Sequence, residues 1–226
     1  MSGPPVELAR GDRVGGFHVT SILGWGVEGV TAQVVDEFLA LKRVLKAYPP
    51  DPFWIERIRY VTQVFLKLAP LNVCPTPIVA GVTATSRGEP VAYLVVDRRN
   101  GRPLDEMLTR RWTEPRALDL IIKLTDSVAK VHRIGWALGD FEGGNNIVMA
   151  SGAPLFVDIG LDYDAFVRPS LEEDFECLAD IARRLAQQSG SDRLIEAAGS
   201  LADRSTKRLD ARSLSVWRTK MGLTGA

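Results

Sequence analysis

The sequence predicts an α+β protein of two lobes: a β-rich N-terminal lobe carrying one helix, residues 1–97, and a shortened helical C-terminal lobe, residues 98–226. Three observations predict it. Alternating, β-branched or apolar runs of strand length recur through most of the first lobe. Apolar residues recur at helical spacing through most of the second. A polar stretch, "DRRNGRP" (97–103), separates the two patterns. At 226 residues and 46% hydrophobic content the chain can fill such a core.

The elements follow in order. "FHVTSIL" (17–23) alternates, "VTAQVV" (30–35) is β-branched, and "FLALKRVL" (38–45) reads as a third strand. "AYPPDP" (47–52) is a break. "FWIERIRYVTQVFLKLA" (53–69) sets Ile55, Ile58, Val61, Val64, Phe65 and Leu68 on one helical face. "PIVAGVTAT" and "PVAYLVV" are two strands around an "SRGE" turn. Beyond residue 103, "LDEMLTRRW", "EPRALDLIIKLTDSVAKVHRIG", "SLEEDFECLADIARRLAQQ" and "SDRLIEAAGSLADR" read as helices. Pro115 and Gly135 punctuate the second of these. "NIVMA" and "PLFVDIG" form a short strand pair around "SGA".

Charge and composition narrow the function. Lys+Arg and Asp+Glu each number 28, so the basic excess of a nucleic-acid binder is missing and no nucleic-acid partner is expected. No run of about 18 apolar residues exists, so no membrane span is expected. The first residues, "MSGPPVELARGDRVGG", lack the layout of a secretory signal. Cys74 and Cys177 form no spaced metal set. These features lead to the expectation of a cytoplasmic protein.

Several residues have the makings of a site. Gly24, Gly26 and Gly29 stand in G-x-G-x-x-G spacing, followed by a strand rather than a helix. Taken alone they fit an ordinary hairpin; they also fit a loop whose backbone N–H groups approach phosphates. Lys42 lies within an apolar strand, where an ammonium either points outward or meets an anion. Glu56, the one glutamate between residues 43 and 70, is its candidate partner. In "LGDFEGGNNIV" (138–148), Asp140 and Asn145 are five apart, and Asp158 in "LFVDIGL" follows Asn145 by 13. Asn145 and Asp158 offer hard oxygens suited to Mg²⁺, leaving Asp140 as a base or a hydroxyl-orienting group.

These signals, in this order over residues 15–214, resemble the protein-kinase-like superfamily. The glycines are similar to its nucleotide-covering loop, "LALK" to V-A-I-K with Lys42, and Glu56 to the helix partner of that lysine. "LVVDRRNGRPLDEML" resembles the hinge, "VHRIGWALGDFEGGNN" the catalytic loop with Asp140 and Asn145, and "VDIG" the D-F-G motif with Asp158. The resemblance implies an atypical minimal kinase of bilobal fold. ATP would be held by the three glycines and Lys42, with adenine against Val96 and the backbone near Asp97 and Arg99; Mg²⁺ would sit on Asn145 and Asp158. It implies phosphorylation of a protein Ser/Thr hydroxyl, with a small-molecule acceptor as the alternative.

The departures also carry expectations. Leu138-Gly139 stands where the family has His-Arg, so no arginine awaits an activation-loop phosphate. Glu142 stands where many protein kinases have a phosphate-contacting lysine, and Gly144 offers no arginine in its place. Glu142 leaves open a pseudokinase that binds a nucleotide or a protein without turnover. Asn146 would replace Asn145 as ligand if the loop bulged by one residue. "GLDYDAFVRPS" is too short for the usual activation segment, and "KRLDARSL" (207–214) resembles the closing helix. His132 is expected to be structural, and Trp25 to pack on a partner or cap the nucleotide.

Overall fold

A computed structural model describes residues 6–26, 28–160 and 169–203, together with 216, 217, 219 and 222. The expectations for the segment after Gly160 and for the helix at 207–214 lie outside the described residues. The chain divides into two compact units, residues 1–70 with 75–99, and residues 71–74 with 100–226.

The first unit is built on an antiparallel sheet of β1 (Arg13–Val14), β2 (Phe17–Trp25), β3 (Val30–Asp36), β4 (Lys42–Tyr48), β5 (Pro77–Ala84) and β6 (Pro90–Asp97), in the order β1-β2-β3-β4-β6-β5. Alternation explains its core: Phe17, Val19, Val30, Ala32, Val34, Leu45, Ala47, Val91, Tyr93 and Val95 are buried together. Helix α1 (Pro52–Leu68) packs on β5 and β6. Asp51 caps it by accepting the Trp54 N–H at 3.1 Å, with Pro52 at its first position.

The strand expected over 38–45 is corrected here. β4 begins at Lys42, and residues 37–41 form the turn of the β3–β4 hairpin. The Asp36 carboxylate accepts the N–H groups of Phe38 (2.9 Å) and Leu39 (2.8 Å), and Ala40 takes a positive φ of 55°. Phe38, Leu39 and Leu41 are exposed. Their apolar character imitates a strand, but the aspartate two residues earlier turns the chain first.

The second unit contains a small sheet, β7-β8-β9, of β7 (Gly101–Pro103), β8 (Ile147–Ala150) and β9 (Ala153–Phe156). β7 lies in the stretch read from sequence as polar hinge. The Phe156 N–H donates to Val73 O at 2.8 Å, which ties residues 71–74 to this unit. Around it stand α2 (Leu104–Leu108), α3 (Glu114–Arg133), α4 (Leu171–Ser189) and α5 (Asp192–Ala202). α4 packs on both α3 and α5. It opens with a reciprocal capping box between Ser170 and Glu173 and ends at Gly190 in the left-handed region.

Cys177 on α4 has a thiol pushed up from 9.0 to about 12. Burial is the main cause, opposed by a hydrogen bond with the Phe141 backbone and reinforced by the carboxylates of Asp174, Glu142 and Asp140. The folded state therefore holds this proton more tightly than the unfolded chain. The stability it contributes is complete below pH 9.0 and is lost as pH rises toward 12. The urea midpoint is expected to fall across that window, and to fall less in Cys177→Ala. Equal slopes in the two proteins would refute this.

Candidate active site

Within the first unit, the glycine segment is pressed onto β4. Gly26 N–H donates to Gly29 O at 2.8 Å, and a Cβ at Gly29 would lie 2.0 Å from Ala47 O, so no larger residue fits there. Gly24 pairs with Thr31 at the end of β2. Between the glycines, the Glu28 carboxylate joins two cations. Its Oε2 accepts from Lys46 Nζ at 3.2 Å, and its Oε1 is bound by the Arg57 guanidinium. The three side chains are 13%, 21% and 4% exposed for Glu28, Lys46 and Arg57. Tyr48 and Trp54 stack beside them with centroids 5.5 Å apart, Lys46 Nζ lying 5.4 Å from the tyrosine ring and Arg57 Cζ 5.8 Å from the tryptophan ring.

The structure does not bring the expected pair together. Lys42 is exposed at the first residue of β4, and no ion pair joins it to Glu56 among the described residues. Glu56 is on the outer face of α1, where its carboxylate meets Arg59. The reason is register. Lys42 lies across from Val35, whereas Lys46 lies across from Thr31, two residues beyond Gly29. Four residues of strand, about 13 Å, separate the two lysines. On α1 the inward position next to Glu56 belongs to Arg57, whose neighbours Ile58 and Val61 are buried.

At the end of β6, Val96 is buried and lies across from Val44. The Asp97 N–H donates to Thr76 O at 2.8 Å, so this amide is committed and is not a donor for a ligand. The Asp97 carboxylate accepts the Thr76 N–H and pairs with Arg99 Nε at 2.6 Å. Trp25, at the end of β2, is 65% exposed.

Within the second unit, the stretch around Leu138 and Gly139 is held by Asp174 of α4. This carboxylate is fully buried. It accepts the backbone N–H groups of Leu138 at 3.0 Å and Gly139 at 2.6 Å, and lies 2.8 Å from His132 Nε2. His132 is thus a structural residue that orients Asp174. Gly139 and Asp140 both take positive φ, 57° and 48°. For an aspartate this costs on the order of 1 kcal/mol, a strain typical of functional positions. Asp140 is exposed.

Asn146, not Asn145, turns back to Asp140. Its Nδ2 donates to Asp140 O at 2.9 Å and to Asp140 Oδ2 at 3.2 Å, while Asn145 is exposed. The additional residue is absorbed by a short 3₁₀ turn, Glu142–Gly144, in which Gly143 has φ 64° and gives its N–H to Asp180 at 2.9 Å. Glu142 is exposed on the same turn.

The Asp158 segment is fixed against both residues. Val157 N–H donates to Asn146 O and Gly160 N–H to Leu138 O, each at 2.8 Å. A Cβ at Gly160 would lie 3.0 Å from Asp140 N and Cβ, so glycine allows the close approach. Asp158 accepts the N–H of Ile159 at 3.0 Å.

Carboxamide and carboxylate oxygens are the hard donors that Mg²⁺ takes. Because the Asn146 nitrogen donates to Asp140, a cation here would meet the Asn146 Oδ1 end and the Asp158 carboxylate. Among the described residues no group of three or more His, Cys, Asp or Glu is gathered for a metal. An ion here would depend on two protein oxygens and on a substrate's phosphates, as Mg²⁺ commonly does.

Asp174 escaped the sequence reading, although a signal existed: it precedes Phe175 and stands four and seven residues before Leu178 and Ile181 on the buried stripe of α4. Replacing it by alanine leaves two buried amides and His132 without their partner. The expected loss is about 3–5 kcal/mol of stability. Urea unfolding measures it; a loss below about 1 kcal/mol would contradict this role.

No protein-family model matches the chain, and no curated protein matches it in sequence. Solved structures do. The kinase domain of Mycobacterium tuberculosis PknI matches with a TM-score of 0.67 at 15% identity, over 96% of this chain and 100% of that one. A mutant of that domain gives a TM-score of 0.68 at 15% identity with the same coverage. A double mutant gives 0.67 at 16%, over 96% of this chain and 99% of that one. No helix among the described residues is long and apolar enough to cross a membrane. A strand-rich unit with one long helix, a helical unit with a buried aspartate beneath its loop, and these likenesses agree: the chain has the α+β protein-kinase-like fold.

Proposed function

We propose that the protein is a phosphotransferase that uses ATP with Mg²⁺ and transfers the γ-phosphoryl group to a protein Ser/Thr hydroxyl. The observation that carries the reading is the Asp140–Asn146 contact, which sets a strained, exposed carboxylate beside an amide whose oxygen is left to bind a cation.

In this reading Gly24, Gly26 and Gly29 give the phosphates access to backbone N–H groups, and Lys46 neutralises phosphate charge. Val96 forms part of the apolar wall for adenine. Backbone groups near Asp97 and Arg99 orient the base, without the Asp97 amide. Asn146 and Asp158 would hold Mg²⁺, which supplies charge neutralisation on the phosphates when bound. Asp140 accepts or orients the proton of the acceptor hydroxyl. Glu142 favours a second reading, nucleotide binding without turnover, because an exposed carboxylate two residues from Asp140 opposes developing negative charge unless a basic acceptor faces it.

Binding is tested by calorimetry with ATP. The expected result is association in Mg²⁺ and none measurable in EDTA, with Asp158→Ala weakening Mg·ATP binding at least about tenfold. Equal affinity in Asp158→Ala and the parent would refute the metal assignment.

A further inference from the structure

We propose that Glu28, carried on the glycine segment, is the residue that positions Lys46, so that aligning the lysine and seating the segment over a nucleotide's phosphates are a single event. The proposal rests on the nucleotide reading above.

The usual layout expected from the resemblance puts the carboxylate on the helix and the cation on the strand. Here the helix presents Arg57 at its buried face, and the carboxylate comes from the loop. Glu28 uses separate oxygens for the two cations, Oε2 for Lys46 and Oε1 for Arg57. Arg57 therefore anchors the carboxylate, and the carboxylate aims the ammonium. Arg57 is nearly fully buried on a helix packed against the sheet, so the anchor is rigid. Two contacts set Glu28 close to Lys46: Gly26 N–H donates to Gly29 O, and Gly29 lies against Ala47 O, next to Lys46. Gly29 is also the one residue between Glu28 and β3, whose Thr31 lies across from Lys46.

A phosphate that draws on Lys46 thus meets an ammonium whose direction is set by the loop that covers it. Moving the loop moves the lysine's partner. A helix carboxylate would leave the two independent. Glu28 is a positioning residue in this scheme; it need not touch the nucleotide.

The test is competitive labelling with an amine-reactive ester, reading Lys46 and Lys42 in the same digest by mass spectrometry, with and without Mg·ATP. In the parent, Mg·ATP is expected to protect Lys46 and not Lys42. In Glu28→Gln, labelling of Lys46 without nucleotide rises several-fold, and half-protection needs at least about tenfold more Mg·ATP. Glu28→Gln combined with Arg57→Glu returns the carboxylate to the helix and is expected to restore half-protection to within about threefold of the parent. A purely structural role for Glu28 predicts no such rescue. Should the double variant fail to fold, Glu28→Asp, which keeps the charge on a shorter arm, falls between the parent and Glu28→Gln. Unchanged labelling and unchanged protection in Glu28→Gln overturn the proposal. If Mg·ATP neither binds the parent by calorimetry nor protects Lys46, the nucleotide reading falls and takes the phosphate half of the proposal with it. The nucleotide-free labelling rates then decide whether Glu28 holds Lys46.

Discussion

Asp140→Ala is expected to abolish phosphoryl transfer, lowering turnover by at least about a hundredfold, while Mg·ATP affinity stays within about threefold of the parent. The expectation follows from where this carboxylate stands. Its backbone is held in the left-handed region, with Gly139 fixed by Asp174 on one side and Gly160 packed against it on the other. Asn146 bonds both its carbonyl and its carboxylate. A side chain so constrained yet exposed suits the proposed chemical role better than a packing role. Glu142 is the control. It is exposed on the adjoining 3₁₀ turn, and Glu142→Ala is expected to lower turnover by no more than about tenfold, roughly 1.4 kcal/mol of barrier. Parallel steady-state assays at saturating Mg·ATP decide between them. A loss at Glu142 as complete as that at Asp140 would mean that the roles belong to the other carboxylate.

Lys46→Met is expected to lower turnover at least about a hundredfold with the fold retained, whereas Lys42→Met stays within about twofold of the parent. Both lysines lie on β4, four residues apart, and both would satisfy a strand-centred reading of the sequence. Only Lys46 is drawn inward to a carboxylate on the glycine segment. Lys42 stands at the other end of the strand, exposed to solvent. Circular dichroism checks the fold of each variant before kinetics are compared. The reverse order of effects would return the phosphate-facing role to Lys42.

The architecture was legible because apolar residues mark the buried positions, alternating in β3, continuous in β6 and at helical spacing in the helices. In β3 and β6, and along α1, α3 and α4, the apolar residues that define the pattern are the ones the structure buries. The details of the site were less legible, for identifiable reasons. Strand parity is the same for Lys42 and Lys46, so alternation cannot separate them; the hairpin register does, and that depends on Asp36 starting the turn before an apolar run. Glu56 and Arg57 differ by about 100° on a helix, and the usual preference for burying neither hid the fact that the arginine faces in. That Asn146 rather than Asn145 turns back to Asp140 goes with consecutive positive-φ glycines, Gly143 and Gly144, whose conformation no spacing rule states. Asp174 was readable from its place on the apolar stripe of α4, because an acidic residue there needs several donors to be tolerated.

The measurement that bears most directly on the account is incubation of the protein with γ-labelled ATP and a cell lysate, with Mg²⁺ or with EDTA. The account predicts label on protein Ser/Thr residues that depends on Mg²⁺ and disappears in Asp140→Ala. Mg·ATP binding by calorimetry with no label on any protein or small molecule, in the presence of Mg²⁺, would contradict phosphotransfer and leave a nucleotide-binding module on the same fold.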